Sequence, residues 1–176
     1  MNDYDNIKII DDYFPKELFK QIETMIMHPS SRFPWFYMDS INGKGYDIDK
    51  DVFQFVNTIF PTHDIQDITK YREFVSILDN MDNKVLMRAK VNCLTRTKKI
   101  IKHGFHIDIL DEEDKTITTA ILYINTNNGY THFKNGTKVK SKANRLVCFP
   151  HTYLHCGTTC TDKNIRVVMN LNYLEI

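Results

Sequence analysis

Residues 85–96 read VLMRAKVNCLTR, and their polarity alternates from one residue to the next. Successive side chains of a β-strand point to opposite faces of its sheet, so this alternation predicts a strand with one buried face. The apolar face comprises Val85, Met87, Ala89, Val91 and Cys93, and the opposite face carries Arg88, Lys90, Asn92 and Arg96. We therefore expect the second half of the chain to consist mainly of strands.

Several more segments downstream have the composition of strands. We predict strands at 104–110, 116–125, 130–133, 145–150 and 165–174, and a short one upstream at 6–10. Turn residues separate several of them, as in Asn127-Asn128-Gly129 and Asn135-Gly136, because asparagine and glycine tolerate turn geometry. This spacing is typical of a sandwich or barrel of short strands.

The N-terminal half favours helices. Pro15 precedes a segment in which apolar residues recur at helical spacing, and 65–80 carries a weaker stripe of the same kind. Two helices before seven or so strands predict a mainly β (α+β) protein, either a β-sandwich or a jelly roll. At 176 residues we expect a single domain, with helical support over about 1–83 and a jelly-roll core over about 84–176.

The composition narrows the choice of partners and compartment. Hydrophobic residues make up 42% and charged residues 26%, while the formal net charge is +1, which gives no electrostatic reason to expect a nucleic acid or a membrane surface as partner. The acidic N-terminus is unlike a signal peptide and no segment is long enough to cross a bilayer, so we expect a cytoplasmic protein. Its four cysteines are then expected to be free thiols. The oligomeric state is not indicated.

The segment KHGFHIDILDEED at 102–114 places His106 and Asp108 two residues apart. In a strand, such residues point to the same side, roughly 7 Å apart. An imidazole and a carboxylate that converge in this way make two of the three ligands of a facial triad, which holds Fe(II) and leaves other positions open. A third ligand should come from a distant strand, and the candidates are His151 and His155.

The last predicted strand presents polar residues on one face. In IRVVMNLNYLEI at 165–176, Arg166, Asn170 and Asn172 share a side with Val168. Such a face is either exposed or turned into a polar cavity. In a cavity, the planar guanidinium of Arg166 could bind a carboxylate through two parallel hydrogen bonds.

His106-Ile107-Asp108, His155 and Arg166 together resemble the HxD…H…R signature of the 2-oxoglutarate/Fe(II)-dependent dioxygenases. The resemblance is to the prolyl-hydroxylase-like branch and its small bacterial and viral members. AILYINTNNGYTHF at 120–133 and NRLVCFP at 144–150 resemble that branch's strands between HxD and the distal histidine. The resemblance covers about 85–176 well and the N-terminal half in outline, and it implies a double-stranded β-helix, a form of jelly roll.

The resemblance also implies roles for individual residues. His106, Asp108 and His155 would be the catalytic iron ligands, and Arg166 would bind the C5 carboxylate of 2-oxoglutarate with help from the Tyr123 hydroxyl. Many members of the branch carry a second tyrosine where this chain has Leu94. The residues expected to line the pocket are Asn92, Thr131 and Asn170.

The implied cofactors are Fe(II), 2-oxoglutarate and O2, with ascorbate as a supporting reductant. The implied reaction couples decarboxylation of 2-oxoglutarate to succinate with hydroxylation of a C–H bond, while the protein positions the reactants and keeps the pocket dry. A prolyl or other amino-acid residue of a protein or peptide is the first substrate prediction. A free amino acid or small metabolite is the alternative, and a nucleobase comes last.

Other interpretations remain open on the sequence alone. The chain could be a non-catalytic jelly-roll binding module, or a cupin-like metalloenzyme that does not use 2-oxoglutarate. His151, His155, Cys156 and Cys160 could bind zinc, although their spacing fits no usual zinc pattern. We expect His103 to be a loop residue that faces away from His106, and 35–37 (WFY) to be core. Residues 39–50 are either a mobile lid or a plain surface loop.

Overall fold

The computed structural model describes residues 5–41, 53–60, 84–109 and 117–175. Their elements are β1 (Lys8–Ile10), α1 (Lys16–Met27), a 3-10 turn (Pro29–Ser31), β2 (Phe36–Met38), β3 (Gln54–Phe60), β4 (Lys84–Thr95), β5 (Ile117–Tyr123), β6 (Tyr130–Phe133), β7 (Lys138–Lys140), β8 (Arg145–Pro150), β9 (His155–Gly157) and β10 (Ile165–Glu175).

The strands form two antiparallel sheets. The main sheet has seven strands in the order β1-β8-β5-β10-β4-β3-β2, and the smaller sheet has the order β7-β6-β9. Neighbours in the main sheet are distant in sequence, as where β10 lies between β4 and β5. Two facing antiparallel sheets with such crossovers make the predicted jelly roll, and a mainly β fold is confirmed.

One face of the main sheet carries the larger hydrophobic core. The central odd-numbered residues of β4 and β10, from Ala89 to Cys93 and from Val167 to Tyr173, are buried there. Helix α1 covers this face with Ile22 and Ile26, which lie four residues apart and so share one side of the helix. The apolar side predicted for 85–96 is therefore confirmed for Ala89, Val91 and Cys93. It is wrong for Val85, which is 47% exposed, because a register shift between β10 and β4 at Asn172/Tyr173 changes the alternation there.

The opposite face of the main sheet turns towards the smaller sheet. Part of the space between them is filled by a second apolar cluster, in which Tyr123 and Phe149 of the main sheet meet Phe133 and Val139 of the smaller one. The rest is a cavity. Its floor comes from the even-numbered residues of β4 and β10, which the sequence assigned to the polar sides of those strands.

Most predicted elements agree with the structure. The predicted strands at 130–133 and 145–150 have the bounds of β6 and β8, and the helix after Pro15 is α1. The strand predicted at 104–110 is wrong over 104–109, where a single bridge at His106 interrupts irregular chain. The short strands β2, β7 and β9 and the longer β3 were not predicted. The helix predicted at 65–80 and positions 42–50 of the predicted lid lie outside the described residues.

The N-terminal half contributes strands as well as α1. β1 pairs with β8, and β3 pairs with β4, so both belong to the sheet that forms the floor of the cavity. The single domain over 1–176, with its boundary near 83, stays a prediction. All four cysteines are buried free thiols, as expected. Within the part of the chain that is described, no helix combines the length and apolarity needed to span a membrane.

Candidate functional site

The cavity between the sheets has a volume of about 300 Å³. It collects side chains from strands and loops that are far apart in sequence. His106, Asp108, His155 and Arg166 all line it. So do the three residues predicted as pocket lining: Asn92, Thr131 and Asn170. Tyr123 is not at its surface but lies directly behind Thr131.

A two-residue bridge brings the two histidines together. The N–H of His106 donates to the carbonyl of His155 at 2.9 Å, and the N–H of His155 donates back at 3.1 Å. Residues that exchange both hydrogen bonds in an antiparallel pair lie directly opposite one another, with their side chains on the same side. The imidazole rings are accordingly 4.8 Å apart between centroids. A regular strand over 104–110 is therefore not needed to form the site.

Backbone carbonyls set the orientation of both rings. Nδ1 of His155 lies 3.0 Å from the carbonyl oxygen of Tyr153, and Nδ1 of His106 lies 3.3 Å from that of Gly104. Since a carbonyl can only accept a hydrogen bond, each Nδ1 carries the proton when it makes this contact. Each Nε2 then keeps a lone pair, which is the arrangement found in histidines that bind metals.

Asp108 lies between the two rings. Its Oδ1 is 3.6 Å from Nε2 of His106, and its Oδ2 is 3.9 Å from Nε2 of His155. Asn170 donates its side-chain N–H to Oδ2 at 3.0 Å, which fixes the carboxylate. Burial alone would raise the pKa of Asp108, but the neighbouring His106 and His155 and the guanidinium of Arg88 hold it well below its usual range. The side chain is therefore an anion at neutral pH.

These three side chains have the composition and placement of a metal site. One donor atom from each lies within 4.8 Å of the others. His155 is 2% exposed, and its Nε2 makes no hydrogen bond although it is buried. A buried polar atom without a partner is costly, and coordination of a cation would satisfy it. Two imidazoles and one carboxylate suit a divalent transition metal and leave the remaining coordination positions to other ligands.

Arg166 lies in the same cavity, on β10 opposite Leu94 of β4. It is only 2% exposed, and its guanidinium donates to two hydroxyls, Oγ of Ser141 at 2.9 Å and Oγ1 of Thr131 at 3.4 Å. Across 5–41, 53–60, 84–109 and 117–175, no carboxylate forms an ion pair with it. Burial lowers the pKa of Arg166, yet guanidinium remains charged in proteins. A buried charge with only neutral partners favours binding of an anion.

Two glycines leave room for this arginine. A Cβ on Gly129 would lie 2.7 Å from Cδ of Arg166, and one on Gly157 would lie 3.4 Å from a terminal guanidinium nitrogen. A side chain at 129 would thus displace the arginine stem. We interpret Gly129 as the residue that lets the small sheet lie over Arg166.

Tyr123 contacts Arg166 through its ring and a shared neighbour. The guanidinium carbon is 5.7 Å from the ring centroid, and the phenol oxygen lies 2.8 Å from Oγ1 of Thr131 and 3.2 Å from the carbonyl of Val139. The single phenol proton can serve one of these acceptors at a time. Direct participation of the phenol in carboxylate binding stays a prediction.

Sequence reasoning missed three cavity residues. His103 was expected to be a loop residue that faces away from His106, but it is 2% exposed and lines the cavity. Arg88 and Lys90 also line the cavity, from its floor. Parity along β4 placed the two cations on one face with Asn92, although only Asn92 was predicted to line the pocket. His103 had no such signal, since it lies in irregular chain. Burial and the charge of Arg166 lower the pKa of His103 to about 4.

His103 should make the stability of the metal-free protein depend on pH. The unfolded chain binds a proton at this imidazole below about pH 6.5, whereas the folded chain does so only below about pH 4. Falling pH therefore favours unfolding across this window, and His103 should contribute a loss of up to about 3 kcal/mol. Denaturant unfolding at pH 7 and pH 4.5 should show a smaller loss for His103→Gln than for the native protein. His28→Gln, on an exposed histidine, should lose as much unfolding free energy between pH 7 and pH 4.5 as the native protein. An equal loss in all three proteins would refute the role of His103.

His151 does not join the triad. Its Nδ1 lies 3.2 Å from the carbonyl of Ile117, and it belongs to no metal-compatible group among the described residues. The same holds for Cys156 and Cys160, so the zinc interpretation has no support there. Of the two candidates for the third ligand, His155 is the one that the structure brings beside His106 and Asp108.

Comparison with known proteins extends these observations. No family model matches the sequence, and no curated protein does. Solved structures match over nearly the whole chain at low identity. The prolyl hydroxylase of Trichoplax adhaerens, in complex with a fragment of hypoxia inducible factor, has a TM-score of 0.60 at 13% identity, covering 96% of this chain and 83% of its own.

Two further structures have a similar fold. The viral collagen prolyl hydroxylase of Paramecium Bursaria Chlorella virus-1, in its 2-oxoglutarate complex, has a TM-score of 0.55 at 17% identity and covers 97% of this chain and 96% of its own. HygX of Streptomyces hygroscopicus, with nickel and 2-oxoglutarate bound, has a TM-score of 0.56 at 9% identity, covering 96% and 82%. This chain therefore has the prolyl-hydroxylase-like jelly-roll fold of the 2-oxoglutarate/Fe(II) oxygenases.

Proposed function

We propose that the protein is a dioxygenase dependent on Fe(II) and 2-oxoglutarate. The observation that carries the proposal is one cavity that holds both a His-Asp-His group and a buried arginine, which has no carboxylate partner among the residues that the structure describes. The first suits a divalent metal, and the second suits a carboxylate of a ligand that also reaches the metal. The fold supports the proposal, because 2-oxoglutarate oxygenases share it.

In this proposal His106, Asp108 and His155 hold Fe(II). The bound iron supplies the activation of O2 that couples decarboxylation of 2-oxoglutarate to oxidation of a C–H bond. The protein's part is to fix the ligands. Gly104 and Tyr153 orient the imidazoles through their carbonyls, and Asn170 orients the carboxylate of Asp108.

Arg166 would bind the C5 carboxylate of 2-oxoglutarate. Ser141 and Thr131 hold the guanidinium in place, and the low exposure of the site excludes water that would weaken the ion pair. The distance along the strand between Arg166 and Asn170, which contacts Asp108, is roughly 13 Å. Both residues point into the cavity, so one elongated dicarboxylate could meet the arginine and the metal together.

For the reaction we propose hydroxylation of a prolyl or other amino-acid residue in a protein or peptide. Two structures of the same fold are prolyl hydroxylases, one of them in complex with a peptide fragment. Met38 and Gln54 of β2 and β3 line the cavity, and β2 is an edge strand of the main sheet, beside which an extended peptide could lie. A small molecule is the second candidate, because HygX shares the fold and has been seen with hygromycin B.

Succinate formation tests the proposed activity. Purified protein with Fe(II), 2-oxoglutarate and O2 should release succinate, and omission of Fe(II) or of O2 should stop it. A binding module without activity, or a cupin-like enzyme that does not use 2-oxoglutarate, would release none. Absence of succinate in the complete mixture, both alone and with a pool of peptides and metabolites, would overturn the proposal.

Tyr123→Phe should have a mild effect on 2-oxoglutarate binding. The change deletes one neutral hydroxyl, and its hydrogen bond to Thr131 or Val139 is worth about 1 kcal/mol. The concentration of 2-oxoglutarate that half-saturates succinate formation should rise up to about tenfold. Tyr130→Phe, on a half-exposed tyrosine of β6, is the matched control. A loss as large as that of an arginine variant would mean that the phenol binds the cosubstrate directly.

A further inference from the structure

Two cations on the floor of the cavity have no part in the proposed binding of metal or cosubstrate. Arg88 and Lys90 are two residues apart on β4, so both point into the cavity, and both are partly buried. The only hydrogen bond of their side chains in the described structure is from Arg88 to the carbonyl of Asp108, at 3.5 Å. No carboxylate of the described chain forms an ion pair with either of them.

These cations are distant from Arg166. In the pairing of β4 with β10, Lys90 lies opposite Asn170 and Arg88 opposite Asn172, whereas Arg166 lies opposite Leu94. Four residues of strand, or roughly 13 Å, therefore separate Lys90 from the level of Arg166. Asn170, which lies opposite Lys90, contacts Asp108, so Asp108 is at the level of these cations and not at that of Arg166. An anion held by Arg88 and Lys90 would be a different group from the one held by Arg166.

The charges of the occupied site favour an additional anion. A divalent metal and Arg166 balance Asp108 and the two carboxylates of 2-oxoglutarate, so no carboxylate among the described residues that line the cavity is left to compensate Arg88 and Lys90. Burial, and next the neighbouring Arg88, lower the pKa of Lys90 to about 8, so its ammonium is still mostly charged at neutral pH. Two partly buried like charges side by side cost free energy unless an anion binds between them.

We propose that the prime substrate carries a carboxylate and that Arg88 and Lys90 bind it while the C–H bond to be oxidised faces the triad. The proposal rests on the dioxygenase function and narrows its substrate. A planar guanidinium beside an ammonium matches the two oxygens of a carboxylate. The carboxylate is either the α-carboxylate of a free amino acid or the side chain of an acidic residue in a peptide.

The test uses the anaerobic complex of the protein with Fe(II) and 2-oxoglutarate, whose visible absorption reports the metal without turnover. It is titrated with two matched pairs of probes. One pair is the L-amino acids and their amides, and the other is blocked peptides with Asp or Glu and their Asn or Gln counterparts. At least one carboxylate probe should perturb the band at a concentration more than about tenfold lower than its amide. The pair that discriminates identifies the source of the carboxylate.

Variants connect this preference to the two cations. Lys90→Met and, separately, Arg88→Met should abolish the preference for carboxylate over carboxamide, whereas Lys140→Met, on an exposed lysine of β7, should keep it. A band that responds equally to carboxylates and amides, or to neither, overturns the inference while the dioxygenase function stands. If Lys90→Met and Arg88→Met both keep the preference for carboxylate, the inference is likewise overturned. Failure of the band to form with 2-oxoglutarate would instead contradict the dioxygenase function.

Discussion

Asp108→Ala should abolish succinate formation and strongly weaken iron binding. Asp108 supplies the only carboxylate of the triad, lying 3.6 Å and 3.9 Å from the two Nε2 atoms. Its loss leaves two neutral imidazoles, which cannot balance the charge of a divalent ion in a buried site. Fe(II) retained after gel filtration should fall from about one per protein to near zero. Turnover with added Fe(II) should drop by at least about a thousandfold, because the metal carries the chemistry.

Variants of the histidines separate the triad from general damage to the fold. His155→Ala should lose iron in the same way as Asp108→Ala, whereas His151→Ala should keep it, because His151 bonds to Ile117 away from the group. His28→Ala changes an exposed histidine and serves as the matched control. The circular dichroism spectrum of each variant should match that of the native protein, which shows that its secondary structure is intact. If His151→Ala lost iron and His155→Ala kept it, the assignment of the third ligand would be reversed.

Arg166→Ala should raise the requirement for 2-oxoglutarate by two to three orders of magnitude. Removal of one partner of a buried, hydrogen-bonded charge pair costs about 2–5 kcal/mol. The measurement is the 2-oxoglutarate concentration that half-saturates succinate formation. Iron bound in the absence of 2-oxoglutarate should change little, since Arg166 does not touch the triad residues in any described contact.

Arg166→Lys should recover only part of this loss. An ammonium carries the charge but cannot make two parallel hydrogen bonds to a carboxylate. Arg145→Ala is the matched control, because Arg145 pairs with Asp11 near the surface at 2.6 Å and takes no part in the cavity. A 2-oxoglutarate requirement that Arg166→Ala leaves unchanged would mean that another cation, with Arg88 and Lys90 the first candidates, holds the cosubstrate.

The alternation of apolar and polar residues predicted the long strands of the fold. The alternation of 85–96 and 165–174 is a direct consequence of sheet geometry, and the structure buries the apolar side of 89–93 and 167–173 in the core that α1 covers. The alternation fails at Val85, beyond a register shift that periodicity does not encode. Turn residues at 127–129 and 135–136 marked the two ends of β6 for the same local reason. Strands of three residues, such as β2 and β9, have too few positions to show a period. β3 was missed although it has seven residues.

The site residues could be predicted where their types and order form a known motif. Contacts that depend on the pairing of distant segments could not be predicted. The resemblance to the HxD…H…R signature implied His106, Asp108, His155 and Arg166, and the structure brings all four to one cavity. The bridge between His106 and His155 depends on two segments 49 positions apart, which no local pattern encodes. Phe36 and Tyr37 were predicted as core but are 58% and 64% exposed. An edge strand leaves such side chains without a covering layer.

Titration of the anaerobic Fe(II)-loaded protein with 2-oxoglutarate tests the central claim most directly. The claim is that one cavity binds the metal through His106, Asp108 and His155 and the cosubstrate through Arg166 and that metal. We expect a visible charge-transfer band that grows with 2-oxoglutarate and saturates at about one equivalent. Glutarate, which lacks the keto oxygen, should produce no band. Iron that binds to the protein yet shows no change on addition of 2-oxoglutarate would contradict the claim.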